Sequence, residues 1–187
     1  MAMNEFTVLA AILGCLANSL LILGLAWSIY RPKQRVWPPE QSTAMHQIAV
    51  WTLTCIGFGS AIFIGFVEWG ILDVPAFLRW GLGLVLLIFG NVVVWAGVLH
   101  LGFAATSGAK GSLRTTGLYR YSRNPQYLAD IAILVGIGIL SASIMSWPVI
   151  FTGIVALALA PFSEEPWLLE KYGDAYAEYL RATRRFF

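Results

Sequence analysis

The stretch FTVLAAILGCLANSLLILGLAWSIY, residues 6–30, contains no Asp, Glu, Lys, Arg or His. At a rise of about 1.5 Å per residue it makes a helix longer than the roughly 30 Å hydrocarbon core of a bilayer. A run this long and this free of charge predicts a membrane-spanning helix. Four more apolar segments follow, over residues 48–67, 80–101, 127–145 and 148–160. The first three of the five are long enough to span with some tilt. The last two are cramped, and the fifth is short for a full span. They are expected as a tight helical hairpin, tilted or partly re-entrant, which returns the chain to the side it left. The expected architecture is therefore all-α: a polytopic membrane bundle of five transmembrane segments, the last two forming a short hairpin, with a cytoplasmic C-terminal helical tail. The whole chain, residues 1–187, reads as a single membrane domain.

Composition excludes most alternatives. The chain is 58% hydrophobic and 12% charged, with a mean hydropathy of +0.72, whereas soluble domains carry about 25% charged residues. A soluble domain of this size exposes too much surface to bury five such runs. The net charge of +2 and the lack of any basic block on a polar domain indicate no nucleic-acid partner. Cys15 and Cys55 lie within apolar runs at no metal-ligand spacing, so they read as small hydrophobes and no metal site is expected. Residues 1–5 hold no basic residue and no evident cleavage site, so the first run is expected as an anchored helix.

Charge sets the orientation. Arg31, Lys33 and Arg35 follow the first span. Lys110, Arg114, Arg120 and Arg123 follow the third, and Lys171, Arg181, Arg184 and Arg185 are in the tail. Arg79 alone falls on the opposite side. The positive-inside rule then predicts an outside N-terminus and a cytoplasmic C-terminus, as in a plasma (inner) membrane protein. Trp27, Trp37, Trp69, Trp80, Trp147 and Trp167 sit near segment ends, where interfacial anchors belong.

The polar chain is concentrated on the basic side. After Pro161 the sequence continues FSEEPWLLEKYGDAYAEYLRATRRFF. Ser163 reads as the cap of a new helix with acidic residues and Pro166 in its first turn. Trp167, Leu168, Tyr172, Tyr176, Tyr179 and Leu180 fall mainly on one stripe of it, and Gly173 is a local weak point. Such a helix can lie on the membrane or over the mouth of the bundle.

Two clusters carry candidate chemistry. The first is GLYRYSRNPQYLAD, residues 117–130, where Tyr119, Arg120, Tyr121, Arg123, Asn124 and Tyr127 crowd into the entry of the fourth segment. Pro125 suits a helix start, and a helix start beside an arginine seats a carboxylate or phosphate; the competing reading is an aromatic-belt entry with arginines at the headgroups. The second is Glu164-Glu165, for which Arg123 and Arg181 are the expected partners. Asp130 lies just inside the fourth segment, where a carboxylate is costly unless it lines a polar cavity or is paired. Asn91 is expected to bond between helices. His100 is more a polar contact than a proton acceptor, and His46 is weaker still.

Together the clusters resemble a known family. Gly117-x-Tyr119, Arg123-Asn124-Pro125-x-Tyr127, a short hairpin, Glu164-Glu165 and KYGDAYAEYLRATRRF resemble the isoprenylcysteine carboxyl methyltransferases and the related phospholipid methyltransferases. The likeness covers roughly residues 101–187. It implies S-adenosylmethionine as cofactor, a division into a three-helix part (1–101) and a cofactor-binding catalytic part (102–187), and methyl transfer to a lipid or other membrane-soluble acceptor. Carried over, Tyr119, Arg123, Asn124, Pro125, Tyr127 and Leu128 would surround the cofactor, with Glu164 and Glu165 closing the other side. The family usually has histidine where this chain has Asn124, which can donate a hydrogen bond but carry no charge. Glu165 and Arg181 are the expected acceptor-orienting residues: a carboxylate acceptor favours Arg181, whereas an amine must lose a proton and favours Glu165 or Asp130. The acceptor and the oligomeric state are left open.

Two other readings compete. The pattern Arg-x-Pro-x-Tyr-x-x-Asp over residues 123–130 also resembles the NADPH-dependent membrane sterol reductases. Their tails carry a His/Arg-rich segment where this chain has Ser163-Glu164-Glu165. A non-enzymatic membrane scaffold with a docking tail is the third.

Overall fold

A computed structural model of the chain describes residues 4–40, 43–101 and 113–186. Lys110 and the side chain of His100 lie outside the described part. The described residues are all helical or irregular: α1 (Glu5–Tyr30), α2 (Ala44–Val67), α3 (Leu84–Leu101), α4 (Pro125–Ser141), α5 (Ser146–Tyr172) and α6 (Asp174–Ala182). A π-helical stretch, Phe77–Gly83, leads into α3, and short 3₁₀ turns occupy Pro32–Gln34 and Gly117–Arg120. Among the described residues, four helical stretches are long and apolar enough to cross a membrane: Glu5–Tyr30, Ala44–Val67, Phe77–Leu99 and Ser146–Tyr172. The fourth apolar helix, Pro125–Ser141, is shorter.

The cramped pair differs from expectation in two ways. Its short member is α4, and its long member is α5, which runs for 27 residues through both Pro161 and Pro166. Ser163 is therefore no cap: it is buried inside the helix and its hydroxyl donates to Ala160 O at 3.2 Å. Each proline withdraws one backbone donor and disfavours a helix interior. The helix continues because its sides are held by tertiary contacts, Glu164 by α4 and the loop after α1, Glu165 by two arginines. At about 1.5 Å per residue α5 is about 40 Å long, so its last turns stand beyond a hydrocarbon core of roughly 30 Å. Gly173 does end the helix, at φ +55° and ψ −132°, a conformation that favours glycine.

At the opposite end, α4 stops where Ala142 adopts a left-handed conformation (φ 51°). The orphan carbonyls there are answered from the α2–α3 connection: Gly70 N donates to Ser141 O at 2.7 Å and Leu72 N to Ala142 O at 2.8 Å. Arg79, the lone cation of that end, donates from Nε to Leu140 O at 3.0 Å and stacks over Trp69.

Helices α2, α4 and α5 form the centre, with α1 packed on α2 and α5, and α3 packed on α4. Three glycines spaced seven residues apart let α3 and the π-helical stretch before it approach α4: a Cβ at Gly83, Gly90 or Gly97 would fall within 2.9 Å of Leu140 N, 2.7 Å of Ala129 O or 2.7 Å of Gln126 Cγ, respectively. Between α1 and α5, the buried Asn18 donates from Nδ2 to Val149 O (3.0 Å) and Thr152 Oγ1 (3.1 Å). Among the described residues Asn91 makes no bond to another helix: its Nδ2 donates to Leu87 O of its own α3 at 2.8 Å. Helices α2 and α3 both pack on α4 with little contact between them, which leaves a gap facing the hydrocarbon.

Candidate active site

That gap is the wall of a cavity of about 860 Å³. Its apolar part runs between α2 and α3 over α4, past Trp51, Phe66, Trp95 and Ile137. Its polar part lies at the basic end, under α6. The volume is within the range of small-molecule sites, and the mix of an apolar lining with a few convergent polar groups is typical of them.

The polar part is built around two carboxylates that face different partners. Glu165 accepts from Arg123 (Nε 3.1 Å and Nη2 2.7 Å to Oε1) and from Arg185 (Nε 2.9 Å to Oε1, Nη2 2.6 Å to Oε2). Arg123 continues through Nη1 to the carbonyls of Leu180, at 3.2 Å, and Thr183. Arg185 is held in its charged form by its bond to Glu165, its pKa raised above the ordinary value. Glu164 has no cation among the described residues. Its Oε1 accepts from the Trp37 indole at 2.8 Å and from the Tyr127 hydroxyl. Asp130, one turn along α4 from Tyr127, lines the cavity with no hydrogen bond or ion pair among the described residues.

The chain after α6 closes the site by running alongside residues 122–124. Arg123 N donates to Arg184 O at 2.9 Å, while Ser122 Oγ (3.2 Å) and Asn124 Nδ2 (3.0 Å) both donate to Arg185 O. Tyr179 donates to Tyr119 O at 2.6 Å, and Tyr119 donates to Gln126 Oε1 at 3.0 Å. Burial pushes the Tyr119 and Tyr176 hydroxyls well above the ordinary phenol range and Tyr179 up to about 12. All three are neutral donors at neutral pH. Gln126 Nε2 is a buried donor without a partner among the described residues.

Of the candidate residues, Tyr119, Arg123, Asn124, Tyr127, Asp130 and Glu164 line the cavity. Pro125, Leu128, Glu165 and Arg181 do not. Pro125 is buried at the start of α4, and Leu128 turns to another face of that helix. Arg181 is exposed on α6, and the second arginine on Glu165 is Arg185. The reason is geometric: α6 ends at Ala182 and the chain turns extended at Thr183, so Arg184 and Arg185 fall on opposite sides and only the latter turns inward. Arg185, Trp37 and Gln126 were not singled out by the motifs. Arg185 is indistinguishable from the other basic residues of the tail, and Trp37 reads as an interfacial anchor. Gln126, by contrast, was legible as the polar residue inside Arg-x-Pro-x-Tyr.

Comparison with known proteins agrees with this geometry. The model of the phospholipid methyltransferase family matches residues 78–175, from the π-helical stretch before α3 to the start of α6. The chain is 23% identical over 150 residues to the nickel-cobalt-cadmium resistance protein NccN of Alcaligenes xylosoxydans xylosoxydans, covering 80% of this chain and 68% of that protein. No solved structure matches. The match includes the segment that places Arg123, Tyr127, Asp130 and Glu164 around one cavity, and it selects methyl transfer over reduction or scaffolding. Since it covers just over half of an apolar, polytopic helical chain, the protein belongs to the phospholipid methyltransferase family: it is an integral membrane, S-adenosylmethionine-dependent methyltransferase whose acceptor is membrane-associated.

Proposed function

We propose that the protein methylates an amine on a membrane lipid at the cytoplasmic surface of the plasma (inner) membrane. The observation that carries this reading is the pairing of charges. Arg123 and Arg185 are both taken up by Glu165, while Glu164 and Asp130 line the cavity with no ion pair among the described residues. Two carboxylates without an ion pair suit a cationic methyl donor and an amine, and Arg114 and Lys171 on the same lining are left for the donor's own carboxylate. The same count moves the expected base from Glu165, which two guanidiniums hold, to Asp130.

The residues present fit the cofactor. S-adenosylmethionine supplies an electrophilic methyl group on a sulfonium centre. Glu164 and the ring of Tyr127 offer negative charge and π-density to a cation. The unpartnered Gln126 Nε2, Asn124 and the cavity-lining Arg114 and Lys171 offer donors to its carboxylate. Arg123 and Glu165 act at one remove, tying α4, α5 and the tail into one wall. Asp130 accepts the amine proton and orients the lone pair. The gap between α2 and α3 lets the lipid chain remain in hydrocarbon while the headgroup reaches the polar end. The excess of basic residues at that end supports a cytoplasmic location for it by the positive-inside rule.

The test is transfer of isotopically labelled methyl from S-adenosylmethionine to a total membrane lipid extract by the protein in nanodiscs. Label in an amine-bearing lipid, abolished by Asp130→Asn, supports the reading. Label recovered as a base-labile methyl ester would refute the amine assignment.

A further inference from the structure

We propose that Trp37, outside the segment that the family model matches, is a positioning residue for the cofactor site. The inference rests on the reading that Glu164 borders the cofactor.

The loop after α1 is tied down through Gln34, Arg35, Val36 and the backbone of Trp37 itself. Ser28, buried in the last turns of α1, accepts from Val36 N at 2.9 Å and Trp37 N at 3.1 Å while donating to Gly24 O at 2.7 Å. The Trp27 indole donates to Gln34 O at 3.1 Å. Arg35 reaches Pro32 O at 3.3 Å and forms an ion pair with Glu170 of α5 at 2.8 Å. Trp37 packs against the buried cluster of Leu25, Ala156 and Ala160, which sets the plane of its ring. An interfacial anchor needs none of this: its N–H would face headgroups, whereas this one meets a carboxylate at 2.8 Å on the wall of the cavity.

The chemistry follows from the donor count. Indole can donate and cannot accept, so Trp37 and Tyr127 together fix Oε1 of Glu164 without neutralising the carboxylate. A cation at the same place would cancel the charge that the sulfonium is to meet. The N-terminal helices thereby contribute to the site a neutral clamp that the matched segment does not contain.

The experiment is a double-mutant cycle on the full chain in detergent, with S-adenosylmethionine affinity read by calorimetry for wild type, Trp37→Phe, Glu164→Ala and the double variant. A lost hydrogen bond to a charged group predicts about tenfold weaker binding in Trp37→Phe. In the Glu164→Ala background the same change is expected to cost about twofold or less, because the indole has lost its partner. Ser28→Ala, which loosens the loop and leaves the indole intact, should weaken binding in the same direction. Equal losses from Trp37→Phe with and without Glu164 would show a packing role only and overturn the proposal. So would unchanged affinity in Trp37→Phe. Failure of folded wild type to bind the cofactor is a distinct result, which refutes the cofactor reading and removes the basis of this one.

Discussion

Replacing Arg123 and Arg185 separately by alanine should give very different results, although both hold Glu165. The Arg123 side chain is 9% exposed and makes two bonds to Glu165, itself 12% exposed, and two to the carbonyls of Leu180 and Thr183. Truncating one partner of a buried pair costs about 3–5 kcal/mol, chiefly through the groups left unpaired. The Arg185 side chain is 33% exposed, and its loss leaves Glu165 still bound by Arg123. A partly solvated pair of this kind contributes about 1 kcal/mol. What these bonds hold is the extended chain after α6, so hydrogen exchange of the tail amides is the direct assay. At a factor of ten per 1.4 kcal/mol, Arg185→Ala should accelerate exchange about fivefold and Arg123→Ala more than a hundredfold. Equal acceleration by the two variants would refute the claim that Arg123 is the pivot. Unchanged exchange in Arg123→Ala would show that the tyrosine contacts alone hold the tail.

Other consequences can be checked in the same preparations. Asp130→Asn should lower turnover by a factor of about 100 or more while leaving cofactor affinity within about twofold, as expected for loss of a general base; a parallel loss of affinity would make it a binding residue instead. Gly90→Ala places a Cβ about 2.7 Å from Ala129 O and should destabilise the α3–α4 contact by about 1–3 kcal/mol, measured as a lower thermal midpoint in detergent. Asn18→Ala removes two bonds from α1 to α5 and should cost about 1 kcal/mol by the same readout; no shift would mean that these bonds add nothing net to the packing of α1 on α5. Because burial raises the Tyr179 pKa to about 12 from 10.0, its contribution to tail docking is fully present below about pH 10. That contribution is lost as pH rises through about 12. Tail exchange corrected for intrinsic rates should therefore be flat from pH 7 to 9, and Tyr179→Phe should remove any high-pH loosening.

The amino-acid sequence by itself determined the membrane class, the helical architecture and the clustering of polar chemistry at one end. Those follow from composition and run length, which depend on the solvent a segment can tolerate and on little else: residues 6–30 are a helix in any bilayer. The motif at residues 117–130 and the Glu164-Glu165 pair were joined into one site only by the family resemblance, since arginines and tyrosines at a helix entry serve equally as headgroup anchors. Tertiary structure alone decided how the carboxylates divide their work. Whether α5 stops at Pro161 or continues depends on contacts to Trp37, Tyr127, Arg123 and Arg185, all distant in sequence from it or beyond a turn. Local propensity argues for a stop, and side-chain contacts at the end of α5 override it. Likewise nothing in the tail's basic pattern separates Arg185 from Arg181. That choice is made where the helix ends at Ala182: Arg181, still on α6, stays exposed, and past the extended Thr183 the chain turns Arg185 onto Glu165.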